Sequence, residues 1–431
     1  MPRTHARTHA RALARLASSL GLVVLAACGS TSDANAPSPP ATIEGADAGP
    51  VTPPVMMVDA APPLPYPAFP STAAELLTRG GKILKSPKLV LLTFTGDPMT
   101  TTATTFLSTI GQSAYWSAVT KEYGVGAATA LAPVTLTDPP PATIDQPALE
   151  TWLAGELDGT HAEVPVPDGE TLYVVVYPAG TTVTRGTTTS CNQFGGFHGE
   201  ASLGASATPG SAPYVVIPRC SSFSGLSGKD LFTFALSHEL VEATLDPFVK
   251  TGPAYDHVDL PHEALALVLG DGEAGDVCPN DTALVAGFPF LVQRTWSNAS
   301  AKAGHHPCAP VDPLPYFHAN PVLPDLSPDA IPVVKIPLGQ SRSIDVQLSS
   351  DAPMLADWTV SVVDGASNGK KPAELTFALD RATGNNGDVL HLTITTARAG
   401  SVGKNGGYST FVVHSTAKDK RFTNIAGIVH N

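Results

Sequence analysis

Positive charge is scarce in this chain: 25 lysines and arginines face 38 aspartates and glutamates, a formal net charge of −13. Nothing in that balance would neutralise phosphates, which excludes a nucleic-acid binder. Aromatic residues are also few, at 6%, but a hydrophobic content of 43% excludes wholesale disorder. No apolar run reaches the roughly 18 residues that a spanning helix needs, so the chain is no polytopic membrane protein. There are five cysteines and no Cys-x-x-Cys spacing, which removes the zinc ribbon.

What is present begins with an export pattern. Residues 1–15 are basic, with Arg3, Arg7, Arg11 and Arg15, and residues 16–27 (LASSLGLVVLAA) form a short apolar run. A positive segment before about a dozen apolar residues reads as a secretory signal. The run ends Leu25-Ala26-Ala27-Cys28, which resembles the lipobox of bacterial lipoproteins, where the cysteine is acylated and becomes the first mature residue. That resemblance implies a signal peptide over 1–27 and a membrane anchor at Cys28. Gly29 follows in place of an aspartate, which by the same resemblance points to the outer membrane. Residues 28–70 hold eleven prolines and read as a semi-extended tether.

The four remaining cysteines, Cys191, Cys220, Cys278 and Cys308, are an even number in a chain that reads as exported, which favours disulfides. Three pairings are possible. The sequence-local one, 191–220 with 278–308, is favoured, each bond closing a loop of about thirty residues and contributing on the order of 3–4 kcal/mol.

Pattern and turn chemistry divide the rest. A short helix is expected over 72–79, a buried strand over 88–95, helical spacing through 101–123, and a helix over 145–157 capped by Asp145. Strands are expected over 171–177 and 214–218, then a helix near 228–246. Residues 71–310 read as one α/β (α+β) domain and 311–336 as a Pro-rich linker. Residues 337–431, with short alternating strands and Asn/Gly turns, read as an all-β, immunoglobulin-like sandwich.

The chemistry concentrates on the helix near 228–246. Leu231, Phe234, Ala235, Val241 and Leu245 form one apolar stripe, and His238 and Glu242 lie within it, one turn apart, with Glu239 at its edge. An ionised carboxylate needs a partner on a buried face. Two ligand-type side chains at i and i+4 suit one metal ion, and Glu239 can reach a water on that metal. His262-Glu263 is a second His-Glu pair with Ala266 where a ligand would stand, so the dipeptide alone proves little. Downstream, Asp271, Glu273 and Asp276 lie in a Gly-rich loop, and Glu273 or Asp276 can supply a third oxygen ligand. A solvated acidic turn or a calcium loop are the alternatives there, and a His238–Glu242 hydrogen bond inside the core is the alternative to metal. His198, in a Gly-rich stretch, is a weaker candidate, and Asp246 reads as a helix-end residue.

The order of strands, edge strand and His-Glu helix resembles the zincin metallopeptidase fold, whose HExxH helix carries two ligands and the general base. By that resemblance His238 is a zinc ligand and Glu239 the base, while Glu242 replaces the second histidine, giving HExxE. The stretches SHELVEATLDP, GEAGDVC, VQRTWSNAS and CNQFGGFHG also resemble exordium-type secreted proteins and their bacterial relatives over roughly residues 80–310. The expectation is a lipid-anchored zinc metallopeptidase acting on peptide or protein. The alternative is a non-catalytic binding or adhesive lipoprotein that keeps this core as a scaffold.

Overall fold

A computed structural model describes residues 64–431, apart from 71–72, 205–206, 208, 264–265, 267–271, 367–371 and 403–406. The expected leader, Cys28 with its lipid, the tether as far as residue 63, and Asp271 lie outside the described residues.

Three near-continuous apolar runs, KLVLLTF, TLYVVV and SAPYVVI, form the strands Lys88–Phe94, Thr171–Val176 and Ser211–Ile217. Such runs suit strands covered on both faces, and the three lie parallel at the centre of a six-stranded sheet. Thr129–Ala130 and Val134–Leu136 pair parallel with Lys88–Phe94, and Phe197–Ser202 closes the other edge antiparallel to Ser211–Ile217. Side chains alternate between the faces. Leu89, Leu91, Val174, Val215 and Ile217 pack toward the helix Gly228–Leu245. Val90, Leu92, Tyr173, Val175 and Val216 pack toward Leu149 and Leu153 of the helix Gln146–Glu156. Asp145 caps that second helix as expected, accepting from the Ala148 N–H at 2.8 Å.

The expected fold class does not hold. The chain is mostly β, with 37% strand against 17% helix, and among the described residues its strands are spread over eight sheets, four of them only two-stranded. An α/β zincin-like domain followed by an immunoglobulin-like sandwich is therefore the wrong description. The cause is visible in the connections. The connection between Lys88–Phe94 and Thr171–Val176 carries the helix Gln146–Glu156, but turn residues, drawn from 38 glycines and 41 prolines, cut much of the remaining chain into short extended pieces. Thr182–Arg185, Ser222–Phe223, Leu226–Ser227, Thr282–Val285 and Phe288–Gln293 are all such pieces. Residues 72–79 likewise carry no helix in their described part. Leu76–Thr78 is a strand antiparallel to Tyr255–Val258, with Leu76 buried and Gly80-Gly81 ending the segment.

After residue 310 the structure is all β and sandwich-like. A four-stranded sheet and a six-stranded sheet enclose Trp358, Phe317, Phe411, Val346 and Leu392. Pairing in these sheets starts inside the stretch expected as linker, since Phe317–Pro321 joins the first and Pro332–Lys335 the second. The end of the expected tether rests on the same unit. The Ala68 N–H donates to Asn386 Oδ1 and the Asn386 amide donates to Pro65 O, both at 2.9 Å.

Both local disulfides form, Cys191–Cys220 and Cys278–Cys308. Among the described residues no helix is long and apolar enough to cross a membrane.

Candidate metal centre

The helix Gly228–Leu245 is buried on nearly every face, from Leu231 to Ser237 and from Glu239 to Leu245. Its apolar residues do not form one stripe opposite a wet face; it runs through the interior. Two of its polar groups, Glu239 and Glu242, therefore meet protein on every side. Glu239 is 5% exposed and Glu242 3%, while His238 keeps 18% of its side chain open.

Glu242 is the most fully partnered. One oxygen, Oε1, accepts the backbone N–H of Gly275 at 2.9 Å and of Asp276 at 3.1 Å. The other, Oε2, lies 3.0 Å from His238 Nε2. Burial opposes charge on Glu242, but His238, His198 and the Gly275 amide hold its carboxyl below the ordinary range. His238 Nδ1 is 2.7 Å from Gln293 Oε1, and Asp276 Oδ1 stands 3.6 Å from its Nε2. His238, Glu242 and Asp276 thus each offer a ligand atom within 4.8 Å of the others.

Glu239 lies under Gly196 between the two histidines, its Oε1 3.8 Å from His238 Nε2 and its Oε2 3.4 Å from His198 Nδ1. His198 comes from the antiparallel edge strand Phe197–Ser202. Its Nε2 lies 3.3 Å from Glu273 Oε1. The two downstream candidates are therefore divided, Asp276 beside His238 and Glu273 beside His198. Burial disfavours charge on both histidines. Glu273, Glu239 and Glu242 outweigh it at His198, and Glu242, Glu239 and Asp276 outweigh it at His238, so both rings titrate well above the ordinary value. Cation uptake at these rings must displace protons.

Sequence reasoning set Asp246 aside and passed over Gln293, and the fold brings both here. Asp246, past the helix end, is 1% exposed, accepts the Ala254 N–H at 2.6 Å, and is pushed up to about 6 by burial. Gln293 is 2% exposed and braces His238. Its only sequence signal was its place in the VQRTWSNAS stretch. His198, taken as a weaker candidate, stands at the centre of the cluster.

The donor set fits a divalent cation. It combines imidazole nitrogen with carboxylate oxygen, as Zn²⁺ or a harder divalent ion accepts. His198 Nε2 is also buried without a hydrogen-bond partner, an arrangement that a nearby cation relieves.

No family model matches the chain, and no curated protein matches it. Among solved structures it is similar to domains 4 and 5 of the S-layer protein SbsC, at 13% identity and a TM-score of 0.18. That match covers 28% of this chain and 49% of the other, so it spans about half of the S-layer fragment. A conjugative transposon lipoprotein from Bacteroides eggerthii matches at 13% identity and a TM-score of 0.19, over 28% of this chain and 100% of that one. A lipoprotein from Bacteroides thetaiotaomicron matches at 13% identity and a TM-score of 0.17, over 28% and 82%. At these TM-scores the likenesses assign neither a fold nor a function.

Proposed function

We propose that the chain is a metal-dependent hydrolase acting on peptide bonds, with a divalent cation, Zn²⁺ in the first instance, held by His238, Glu242 and Asp276. The observation that supports this is a division of labour on one buried helix. His238 and Glu242 converge with Asp276 within 4.8 Å, while Glu239 stands beside them, 3.8 Å from His238 Nε2 and 3.4 Å from His198 Nδ1. When bound, the cation supplies Lewis acidity, polarising a carbonyl and acidifying water. Glu239 is the general base: it takes a proton from the attacking water and returns it to the amine nitrogen as the C–N bond breaks. His198, on Glu239 Oε2, holds that carboxylate in one orientation.

The same proposal places the protein outside the cytoplasm, anchored through acylated Cys28 at the outer membrane. Two disulfides support export. Cys28→Ser should move the chain from the membrane fraction to the soluble one, because acyl chains are then the only anchor.

The test of the catalytic reading measures zinc content and hydrolysis of unstructured peptides by the full chain and by Glu239→Gln. Stoichiometric zinc in both, with hydrolysis only in the wild type, is the expected result. Zinc without hydrolysis in either would make the cluster a structural clamp between the helix and the loop 273–278, and would favour the binding-lipoprotein alternative.

A further inference from the structure

We propose that the centre holds two divalent cations rather than one, the second bound by His198, Asp246 and Glu273. This rests on the reading of His238, Glu242 and Asp276 as the first site. The three further residues each offer a ligand atom within 4.8 Å of the other two. Their side chains are enclosed: His198 is 6% exposed and Glu273 13%, while Asp246 is fixed by the Ala254 N–H at 2.6 Å.

The argument turns on the two nitrogens of one ring. His198 Nδ1 faces a carboxylate oxygen, Glu239 Oε2, at 3.4 Å. An ionised carboxylate only accepts, so Nδ1 keeps a hydrogen and a cation would be taken up at Nε2. Nε2 is buried, has no aligned hydrogen bond, and lies 3.3 Å from Glu273 Oε1. A cation there needs no hydrogen-bond alignment and would be met by both the ring nitrogen and the carboxylate.

Charge leads to the same place. Glu239, Glu242, Asp246, Glu273 and Asp276 bring five carboxylates into one enclosure, with His198 and His238 as the imidazoles among them. Each divalent cation bound there offsets two of those charges. Buried charge is costly unless paired. A site with one nitrogen and two carboxylates suits Zn²⁺ or Mn²⁺. A cation on Nε2 would also lock Nδ1–H toward Glu239, so the second site positions the base of the first.

The experiment strips the full-length chain with chelator, reloads it with excess Zn²⁺, removes unbound metal and counts zinc per chain by mass spectrometry. Thermal unfolding of each variant shows that it is folded. Two zinc ions are expected in the wild type. One is expected in Asp276→Asn, which loses the first site, and one in Asp246→Asn and in Glu273→Gln, which lose the second. Glu273→Gln is the partly open position and serves if Asp246→Asn does not fold. One zinc in the wild type, lost in Asp276→Asn and kept in Glu273→Gln, overturns the second site and leaves the first standing. One zinc kept in Asp276→Asn and lost in Glu273→Gln overturns both assignments, and none in the wild type overturns both as well.

Discussion

His198 Nδ1 stands 3.4 Å from Glu239 Oε2 although 41 residues separate the two, so an edge strand and a buried helix meet through one carboxylate. Glu242, one turn along the helix from His238, is bound differently, by two backbone N–H groups and by the His238 ring. Two glutamates that look alike in sequence therefore have different replacements. Glu242→Gln must turn its amide group either to those two donors or to His238. It should lose about 2 kcal/mol, a fall in melting temperature on the order of 5 °C, and lose metal with it. Glu239→Gln keeps an acceptor for His198 and should keep both metal and melting temperature. Calorimetry and metal counts on the two variants decide it; equal losses would mean the roles are wrongly assigned.

Gly275 is required by space. A Cβ there would lie 2.5 Å from His238 Nδ1 and 2.9 Å from Glu242 Oε1. Gly275→Ala should push the loop off the helix, remove both N–H donors from Glu242, and abolish metal binding. Gly155, inside the helix Gln146–Glu156, has nothing within 4 Å of its built Cβ. Gly155→Ala should instead raise stability by about 0.5–1 kcal/mol through helix propensity. If the two alanines behave alike in metal content and melting temperature, the loop is not held as described.

The candidate site was legible in the sequence where periodicity carries chemistry. His238, Glu239 and Glu242 sit on one helix, and helical spacing alone placed them. The disulfides were legible from parity and loop length. The fold class was not, because Leu76–Thr78 and Thr182–Arg185 become strands through partners far along the chain, Tyr255–Val258 and Thr143–Asp145, and no local pattern marks those pairings. Asp246 was read as a helix end, which it is, since its backbone N–H reaches Glu242 O at 2.7 Å. What sequence could not show is that the helix ends in the interior. Gln293 was invisible for a related reason: a lone glutamine on a strand acquires meaning only from the imidazole opposite.

Acid should weaken the fold near residues 306–318, outside the metal centre. The rings of His306, Tyr316 and His318 follow one another at centroid spacings of 4.9 and 5.1 Å. Burial pushes His306 down to about 4, helped by Arg294 against Asp312, and burial pushes His318 down to about 4 against Asp351. His306 Nδ1 also accepts the Cys308 N–H at 3.0 Å, which requires the neutral ring. Both histidines are depressed below their unfolded value near 6.5, so this stability is whole above pH 6.5 and lost as pH falls from 6.5 to 4. Asp281, 3.6 Å from His306 Nε2 and pushed up to about 6 by burial, works in the opposite direction over the same window. The comparison that isolates the histidine is wild type against His306→Asn. The variant should lose about 1–3 kcal/mol less between pH 6.5 and 4, and parallel curves would refute the assignment.

Gln293 should set the affinity of the first cation site without touching the cation. Its Nε2 donates to Gly275 O at 2.7 Å and to Cys278 O at 3.0 Å. Two carbonyls at that end fix the amide orientation, since an amide oxygen placed there would face acceptors only. Its Oε1 therefore points at His238 Nδ1, 2.7 Å away, and must accept. When a cation displaces the proton at Nε2, His238 then keeps its hydrogen on Nδ1 and presents Nε2 between Glu242 and Asp276, the tautomer that a ligand needs. Gln293→Leu keeps similar bulk but releases the ring and strands two carbonyls, so cation affinity should fall about 10–100-fold. Gln293→Glu restores an acceptor for Nδ1–H but sets a carboxylate oxygen against those carbonyls. It should recover affinity relative to leucine while melting lower than wild type. Zinc competition against a chromophoric chelator measures both. Unchanged affinity in Gln293→Leu, with the fold intact, would show that His238 finds its tautomer without help.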